Sequence, residues 1–481
     1  MNKKMVLNTL GKIIGVEAAL LILPLVVSVI YKNDSIAAFL ITIAVAAVVS
    51  LPLLLFCKPK NKVIYSKEGF VIVALAWIIM SAIGALPFYI SREIPSYVDA
   101  FFETVSGFTT TGASILTDVE SMSEGLLFWR SFNHWIGGMG VLVFVMALSA
   151  GLPDRSIHIM RAEMPGPIID KLVPKARETA KILYLIYIGM TLLEIVILVI
   201  CKMPLFESIV HTFGTAGTGG FGVLSDSIAG YSPVIRWVIA VFMFLFGINF
   251  NLYYLLLLGK IKNVLRSSEL WVYVGVGIVS CVAVTVNIFS IYGNISEALG
   301  HAAFQVSSIM TTTGYATADF NQWPVFSKTL LLVLMLMGAC AGSTAGGLKV
   351  SRVIILIKSM RRELTRLLHP RSVKTLKIEG KRIDEQTLST TASYLMMYAA
   401  CSVIVFLLLS FDKFDIETNI SAAAACFNNI GPGFGEVGPI GNYFGYSDFS
   451  KIVLCAAMLL GRLEIFPMLI CFSYGTWTKH K

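Results

Sequence analysis

Four times along this chain an apolar segment is followed by a short stretch that opens on an acid, then by a Thr/Gly- or Asn/Gly-rich tripeptide, then by a second apolar segment. The tripeptide regions lie at 107–113, 217–221, 310–315 and 428–432. Polar, irregular backbone inside apolar surroundings is tolerated only where protein buries it or where it lines a water-filled cavity. Four copies imply a pore whose narrowest point is lined by four sets of carbonyl oxygens.

Composition supports a membrane setting. Of 481 residues, 56% are hydrophobic and 14% charged, against about 25% charged in soluble domains. The apolar runs reach the roughly 20 residues needed to cross a bilayer, so one multi-pass domain is expected rather than several soluble ones. The net charge of +9 would suit a nucleic-acid partner, but its placement excludes one. Most of the Lys and Arg residues gather in alternate loops: Lys3, Lys4 and Lys12; Lys58, Lys60, Lys62 and Lys67; Arg155, Arg161, Lys171, Lys175, Arg177 and Lys181; Lys260, Lys262 and Arg266; a dense run from Lys349 to Arg382; and Lys479 with Lys481. By the positive-inside rule these loops and both termini are cytoplasmic. Eight cysteines without a CxxC imply neither a disulfide framework nor a zinc site. The first apolar stretch lacks a small-x-small cleavage site and reads as a retained helix.

Hydropathy predicts an all-α polytopic protein. Two leading helices fall at about 11–30 and 36–56, followed by helix pairs at about 70–90 and 126–150, 178–201 and 233–258, 269–292 and 324–358, and 389–411 and 446–475. The units are 1–66 for the leading pair, 67–176, 177–268 and 269–385 for the first three pore repeats, and 386–481 for the fourth. The third carries a broken second helix and a basic cytoplasmic loop. Every repeat starts and ends on the basic side, so all four point the same way around a pseudo-fourfold pore, unlike the inverted repeats of many carriers. Short pore helices start near Asp99, Glu207, Glu297 and Glu417. An acid there complements the positive end of the helix dipole, and the negative end faces a passing cation.

A dehydrated cation needs oxygen ligands without full charge, and glycine allows the backbone to aim them. The key glycines are Gly112, Gly220, Gly314 and Gly431. Thr110, Thr111, Thr218, Gly219, Thr312, Thr313, Asn429 and Ile430 supply further carbonyls. The Gly219-Gly220 pair leaves the second register open by one residue. Asp118, Asp226, Asp319 and Glu436 recur five or six residues downstream of the glycines. They form either an acidic vestibule that concentrates cations or ordinary solvated loop acids.

The second helix of the third repeat is interrupted by ten small residues at 338–347, among them Gly338, Gly342, Ser343, Thr344, Gly346 and Gly347. Such a run forms either a loop beneath the filter or a close helix-packing surface. Its likeness to a nucleotide-binding loop fails, because Leu348 separates Gly347 from Lys349. Arg462 lies deep in the last helix, where a charge faces protein or water; the expectation is that it limits flow below the filter. Glu464, two residues on, is a poor partner for it. Glu17 and Glu194 are expected to make structural hydrogen bonds. The basic run from Lys358 to Arg382 suits anionic lipid or a cytosolic regulator. The six histidines show no metalloprotease spacing and read as structural, and no nucleophile elbow or phosphate loop is present, so enzymatic activity is not expected.

Several stretches carry a family resemblance: 107–112 (GFTTTG), 134–140 (HWIGGMG), 164–167 (MPGP), 342–349 (GSTAGGLK), 428–433 (NNIGPG) and 461–464 (GRLE). Through them essentially the whole chain resembles the Trk/Ktr/HKT superfamily of potassium transport proteins, and within it the bacterial TrkH type. The resemblance implies potassium uptake across the bacterial inner membrane, as a channel or symporter with no organic cofactor. It also implies a homodimer with one pore per subunit, a cytosolic nucleotide-binding gating ring as partner, and a gating loop at 338–347. Sodium-favouring relatives carry serine at the first filter glycine. Gly112 therefore favours potassium over the alternative, a sodium-selective or sodium-coupled carrier.

Overall fold

The computed structural model describes residues 1–59, 65–140, 176–370, 375–378 and 381–477. The expected continuation of the 126–150 helix past residue 140, the 164–167 stretch, His158, His480 and the charges at Lys60, Lys62, Arg155, Arg161, Lys171, Lys175, Lys479 and Lys481 lie outside these residues.

The leading helices span Lys3–Tyr31 and Ile36–Phe56. The first starts earlier than hydropathy alone suggests because the Asn2 side chain accepts the Met5 N–H and caps it. The pair crosses closely at Gly11: a methyl group there would stand 2.8 Å from Leu53 Cβ, and Ser50 Oγ donates to the Gly11 carbonyl at 2.7 Å. Small residues serve such approaches in membranes.

Each repeat consists of an outer helix, a pore helix and an inner helix. The outer helices are Ser66–Gly84, Ala176–Ile200, Ser268–Tyr292 and Glu385–Leu409. The pore helices are Tyr97–Phe108, Leu205–Gly217, Ile295–Met310 and Ile416–Phe427. Their starts are set locally: Ser96, Asn294 and Asp415 accept backbone N–H groups as caps, and the expected acid sits in each first turn. Hydrogen bonds from the Thr418 hydroxyl and N–H hold the Asp415 carboxyl below its ordinary value. The inner helices are Glu124–Gly138, Pro233–Phe246, Val325–Leu336 and Asp448–Arg462.

A ring is closed by packing between repeats. Each inner helix lies against the next repeat's pore helix, and the fourth inner helix returns to the first pore helix. Lys451 pairs with Asp99 at 2.5 Å and Lys328 with Glu417 at 2.7 Å across two of these seams. The polarity is that of a membrane protein. Leu192, Val196, Val279, Val286 and Val403 are exposed, whereas His134, His211, Thr312 and Asn429 are fully buried. Among the described residues, six helices are long and apolar enough to cross a membrane, or seven with one bent pair counted as a span.

The inner helices depart from the sequence reading, which has only the third one broken. The second bends by 91° between Pro233–Phe246 and Phe250–Leu257, where Asn249 caps the new helix by accepting the Asn251 N–H. The fourth stops at Arg462; Glu464 and Ile465 take positive φ before Phe466–Phe472 begins. The second break, at Gly247-Ile248-Asn249, sits inside a mostly apolar run, and the fourth falls at Arg462 and Glu464, two charges within an otherwise apolar span that average hydropathy carries through as one helix. After the third, Val350–Leu368 continues well past the expected end at 358. A two-residue antiparallel pair, Lys377–Ile378 with Lys381–Arg382, is the one sheet among the described residues.

Candidate functional site

The four loops that follow the pore helices share one backbone. Thr110, Thr218, Thr312 and Asn429 adopt φ of 56°, 55°, 56° and 56°; Gly112, Gly220, Gly314 and Gly431 adopt 78°, 80°, 86° and 96°. Each residue between them donates its N–H five residues back: Thr111 to Ser106, Gly219 to Gly214, Thr313 to Ser308 and Ile430 to Ala425, at 2.8–2.9 Å. The preceding N–H bonds three residues back, from Thr110 to Gly107, Thr218 to Thr215, Thr312 to Ile309 and Asn429 to Cys426. This is a Schellman termination repeated four times. It settles the second register, with Gly220 equivalent to Gly112.

The loops meet around one axis. A methyl on Gly112 would stand 2.0 Å from the Gly219 carbonyl oxygen; on Gly220, 2.0 Å from that of Thr313; on Gly314, 2.0 Å from that of Ile430; on Gly431, 2.7 Å from that of Thr111. Each glycine is thus abutted by the carbonyl before the next repeat's glycine, and the circuit closes. Any side chain at these positions would force the ring apart.

His134, on the first inner helix, explains Gly219, the first glycine of the Gly219-Gly220 pair. Its Nδ1–H donates to the Gly107 carbonyl at 2.7 Å, and its Nε2 accepts the Phe221 N–H at 3.2 Å. A methyl on Gly219 would lie 2.3 Å from the imidazole. The histidine wedges the first two loops together.

Behind each loop, the residue four positions after the pore-helix acid braces the outgoing limb. Glu103 accepts the Ile115 N–H and the Ser114 hydroxyl, each at 3.0 Å. His211 lies against the Tyr315 hydroxyl, which itself donates to the Phe221 carbonyl. His301 bonds Thr317 at 2.9 Å, and Ser421 Oγ accepts the Phe434 N–H at 2.8 Å. Glu103 is further paired with buried Arg130 at 2.6 Å, whose guanidinium lies 3.6 Å over the Phe221 ring and donates to the Gly222 carbonyl. The sequence reading did not single out Glu103 or Arg130. Their signal was available: an acid and a base within otherwise apolar pore-forming stretches.

Above the ring lies a cavity of about 120 Å³ touching Gly112, Gly220, Gly314 and Gly431. Asp118, Asp226 and Glu436 are exposed on the outer loops and Asp319 is half-buried. None of the four lines this cavity. The Gly431 carbonyl also accepts the Tyr443 hydroxyl at 2.7 Å.

Below the ring, residues 338–347 form a loop, not a helix. Its ends are tied by the Gly338 N–H to the Leu348 carbonyl and by the Val350 N–H to the Ala339 carbonyl. Glu269 accepts the Ala341 and Ser351 N–H groups at 2.8 and 3.0 Å. Buried Lys349 donates to the Ala345 and Gly346 carbonyls. The loop touches the glycine ring's third loop directly: the Gly346 N–H donates to Thr312 Oγ1 at 2.7 Å. Its other small residues also meet neighbours: the Phe250 N–H donates to the Gly342 carbonyl, Ser343 Oγ bonds the Cys340 carbonyl, and Gly347 takes φ of 66°. Arg462 spans the space beside it, donating to the Thr344 carbonyl at 2.8 Å and to the Gly137 and Gly138 carbonyls at 2.6 and 2.7 Å. Glu464 pairs with Arg352 at 2.5 Å. Glu17 and Glu194 are fully buried, and Glu17 has no hydrogen-bond partner among the described residues.

Four parallel repeats with re-entrant loops converging on one axis define a multi-pass membrane transport protein, not an enzyme. A profile described as cation transport protein matches residues 35–273 and 282–476. The chain is 36% identical to the Trk system potassium uptake protein TrkH of Salmonella typhimurium over the full length of both. It is 33% identical to TrkG of Escherichia coli K12, covering 98% of each. The crystal structure of the potassium transporter TrkH from Vibrio parahaemolyticus superposes with a TM-score of 0.90 at 31% identity, covering 99% of this chain and 100% of that one. The chain belongs to the TrkH family of cation transport proteins.

Proposed function

We propose that this chain is the ion-conducting subunit of a potassium uptake system, working in the inner membrane with both termini in the cytoplasm. The observation that carries the reading is the closed circuit of four glycines, each abutted by a neighbour's carbonyl. The names of the full-length relatives support potassium as the cargo.

In this reading an ion enters the outer cavity, sheds water, and takes carbonyl oxygens from Thr110, Thr111 and Gly112 and their counterparts Thr218, Gly219, Gly220, Thr312, Thr313, Gly314, Asn429, Ile430 and Gly431. The four pore-helix C-termini add partial negative charge. Asp118, Asp226, Asp319 and Glu436 act at longer range, from outside the cavity, by raising local cation concentration. The loop at 338–347 and Arg462 form the gate. Opening must break the three Arg462–carbonyl bonds, each worth about 1.5–3 kcal/mol as a bond to a charged group. A cytosolic nucleotide-binding ring acting on a homodimer supplies that work, and the basic surface from Lys358 to Arg382 is its docking face or rests on anionic lipid.

The test is uptake by a potassium-transport-deficient cell carrying this chain, with rubidium and sodium fluxes compared in liposomes. Rubidium should exceed sodium. Gly112→Ser should erode that preference, because its Cβ meets the Gly219 carbonyl at 2.0 Å. Sodium flux exceeding rubidium flux in the unaltered protein would replace this reading with the sodium carrier.

A further inference from the structure

The ring repeats one more feature on its outer side, away from the pore. Three inner helices carry a cation at their fourth residue: Arg236, Lys328 and Lys451. Each belongs to the seam with the next pore helix, whose first turn holds Glu297, Glu417 or Asp99. Two of these pairs are closed, at 2.7 Å for Lys328 with Glu417 and 2.5 Å for Lys451 with Asp99. The third is open. Among the described residues no ion pair or hydrogen bond joins Arg236 to Glu297; both line a cavity of about 320 Å³ between them. Arg236 donates to the Ala229 carbonyl, and its Nε is buried without a partner.

An anion alone in this crevice would be repelled by Glu297, and a cation alone by Arg236. A molecule carrying both charges, a few bonds apart, satisfies both walls. Asn294 and Ser296 add hydrogen-bonding groups at the rim. The surroundings say which kind of zwitterion reaches it. Both helices begin here, at the outer edge of the apolar spans. Trp237 lines the crevice and is 42% exposed, as is common at the membrane–water boundary. Val241, one turn deeper, and Ile295 and Leu299 on the pore helix are also exposed, offering an apolar path into the bilayer.

We propose that this crevice holds the headgroup of an outer-leaflet phosphatidylethanolamine, with its phosphate on Arg236 and its ammonium on Glu297. A primary ammonium donates N–H bonds to a carboxylate; the trimethylated choline headgroup has none to give. The bound lipid bridges the second inner helix to the third pore helix. His301, which also lines the crevice, carries the contact onward to Thr317, three residues past Gly314. The seam between repeats three and four encloses a crevice of about 340 Å³, but its Lys328–Glu417 pair is already closed and serves as an internal control.

The experiment measures thermal unfolding of the detergent-purified full chain with added phosphatidylethanolamine, phosphatidylcholine, phosphatidylglycerol or soluble phosphoethanolamine. The unfolding midpoint should rise most with phosphatidylethanolamine. That preference should fall to parity in Arg236→Gln and Glu297→Gln and persist in Lys328→Gln. An unchanged lipid ranking in both crevice variants overturns the proposal, and an equal shift from soluble phosphoethanolamine overturns the lipid assignment. Native mass spectrometry of the unaltered protein needs no variant: retained ethanolamine lipid in excess of choline lipid supports the site, and equal retention overturns it.

Discussion

Threonine resists a positive φ because both substituents on its Cβ crowd the backbone, yet Thr110, Thr218 and Thr312 all adopt it. Strain of about 1–3 kcal/mol at such a residue persists only where the surroundings hold it in place. At Thr312 the compensation is visible: its hydroxyl accepts the Gly346 N–H of the loop below. Thr312→Val keeps the shape and removes the acceptor, leaving that N–H unsatisfied at a cost of about 1–3 kcal/mol in the closed state. Basal potassium flux should rise on the order of tenfold with the rubidium-to-sodium ratio unchanged, as liposome flux would read. Unchanged flux would separate this hydroxyl from gating. The threonines and glycines were legible in the sequence; the choice between Gly219 and Gly220 was not. His134 makes Gly219 necessary from 85 positions away, and no local pattern records that.

At the scale of elements, the second, third and fourth inner helices all break below the ring, and the first reaches its C-cap at Met139. Gly137 and Gly461 mark the level in the first and fourth repeats. A methyl on either would stand 1.8 or 1.9 Å from the carbonyl of Phe108 or Phe427, the last residue of the same repeat's pore helix. Only the break at 338–347 was readable beforehand, because a run of small residues has too little helix propensity to hide in. The second falls inside a mostly apolar run and the fourth at two charges, Arg462 and Glu464, within an apolar span; both follow from what packs around them. Arg462 connects three such pieces. Arg462→Ala removes a fixed charge and three hydrogen bonds at once, so potassium flux through reconstituted protein should increase by at least about tenfold, one pairwise bond's worth. A flux equal to that of the unaltered protein would remove Arg462 from the gate.

For the molecule as a whole, the seam that closes the ring joins residues 352 positions apart, Asp99 and Lys451. Both side chains are largely shielded, at 11% and 5% exposure. Breaking a buried pair by removing one member costs about 3–5 kcal/mol, whereas removing both costs much less. Lys451→Met should therefore lower the thermal unfolding midpoint clearly, and adding Asp99→Asn should recover most of the loss. A double variant no more stable than Lys451→Met would show that the pair does not clasp the ring. From sequence, Asp99 reads simply as a dipole partner at a helix start; its cation was invisible because it lies at the far end of the chain.

Apolar run length, the first-turn acids, the repeated Thr/Gly stretches and the small-residue loop are properties of neighbouring residues, so the chain alone determined that there are four re-entrant loops and what chemistry lines them. The equivalence of Gly220 with Gly112, the order of repeats around the axis, the hidden helix breaks and the partners of Arg130, Arg462 and Lys451 depend on residues that meet only after folding. Tertiary structure decided these, because contact distance and steric exclusion act between segments whose separation along the chain carries no trace of their proximity in space.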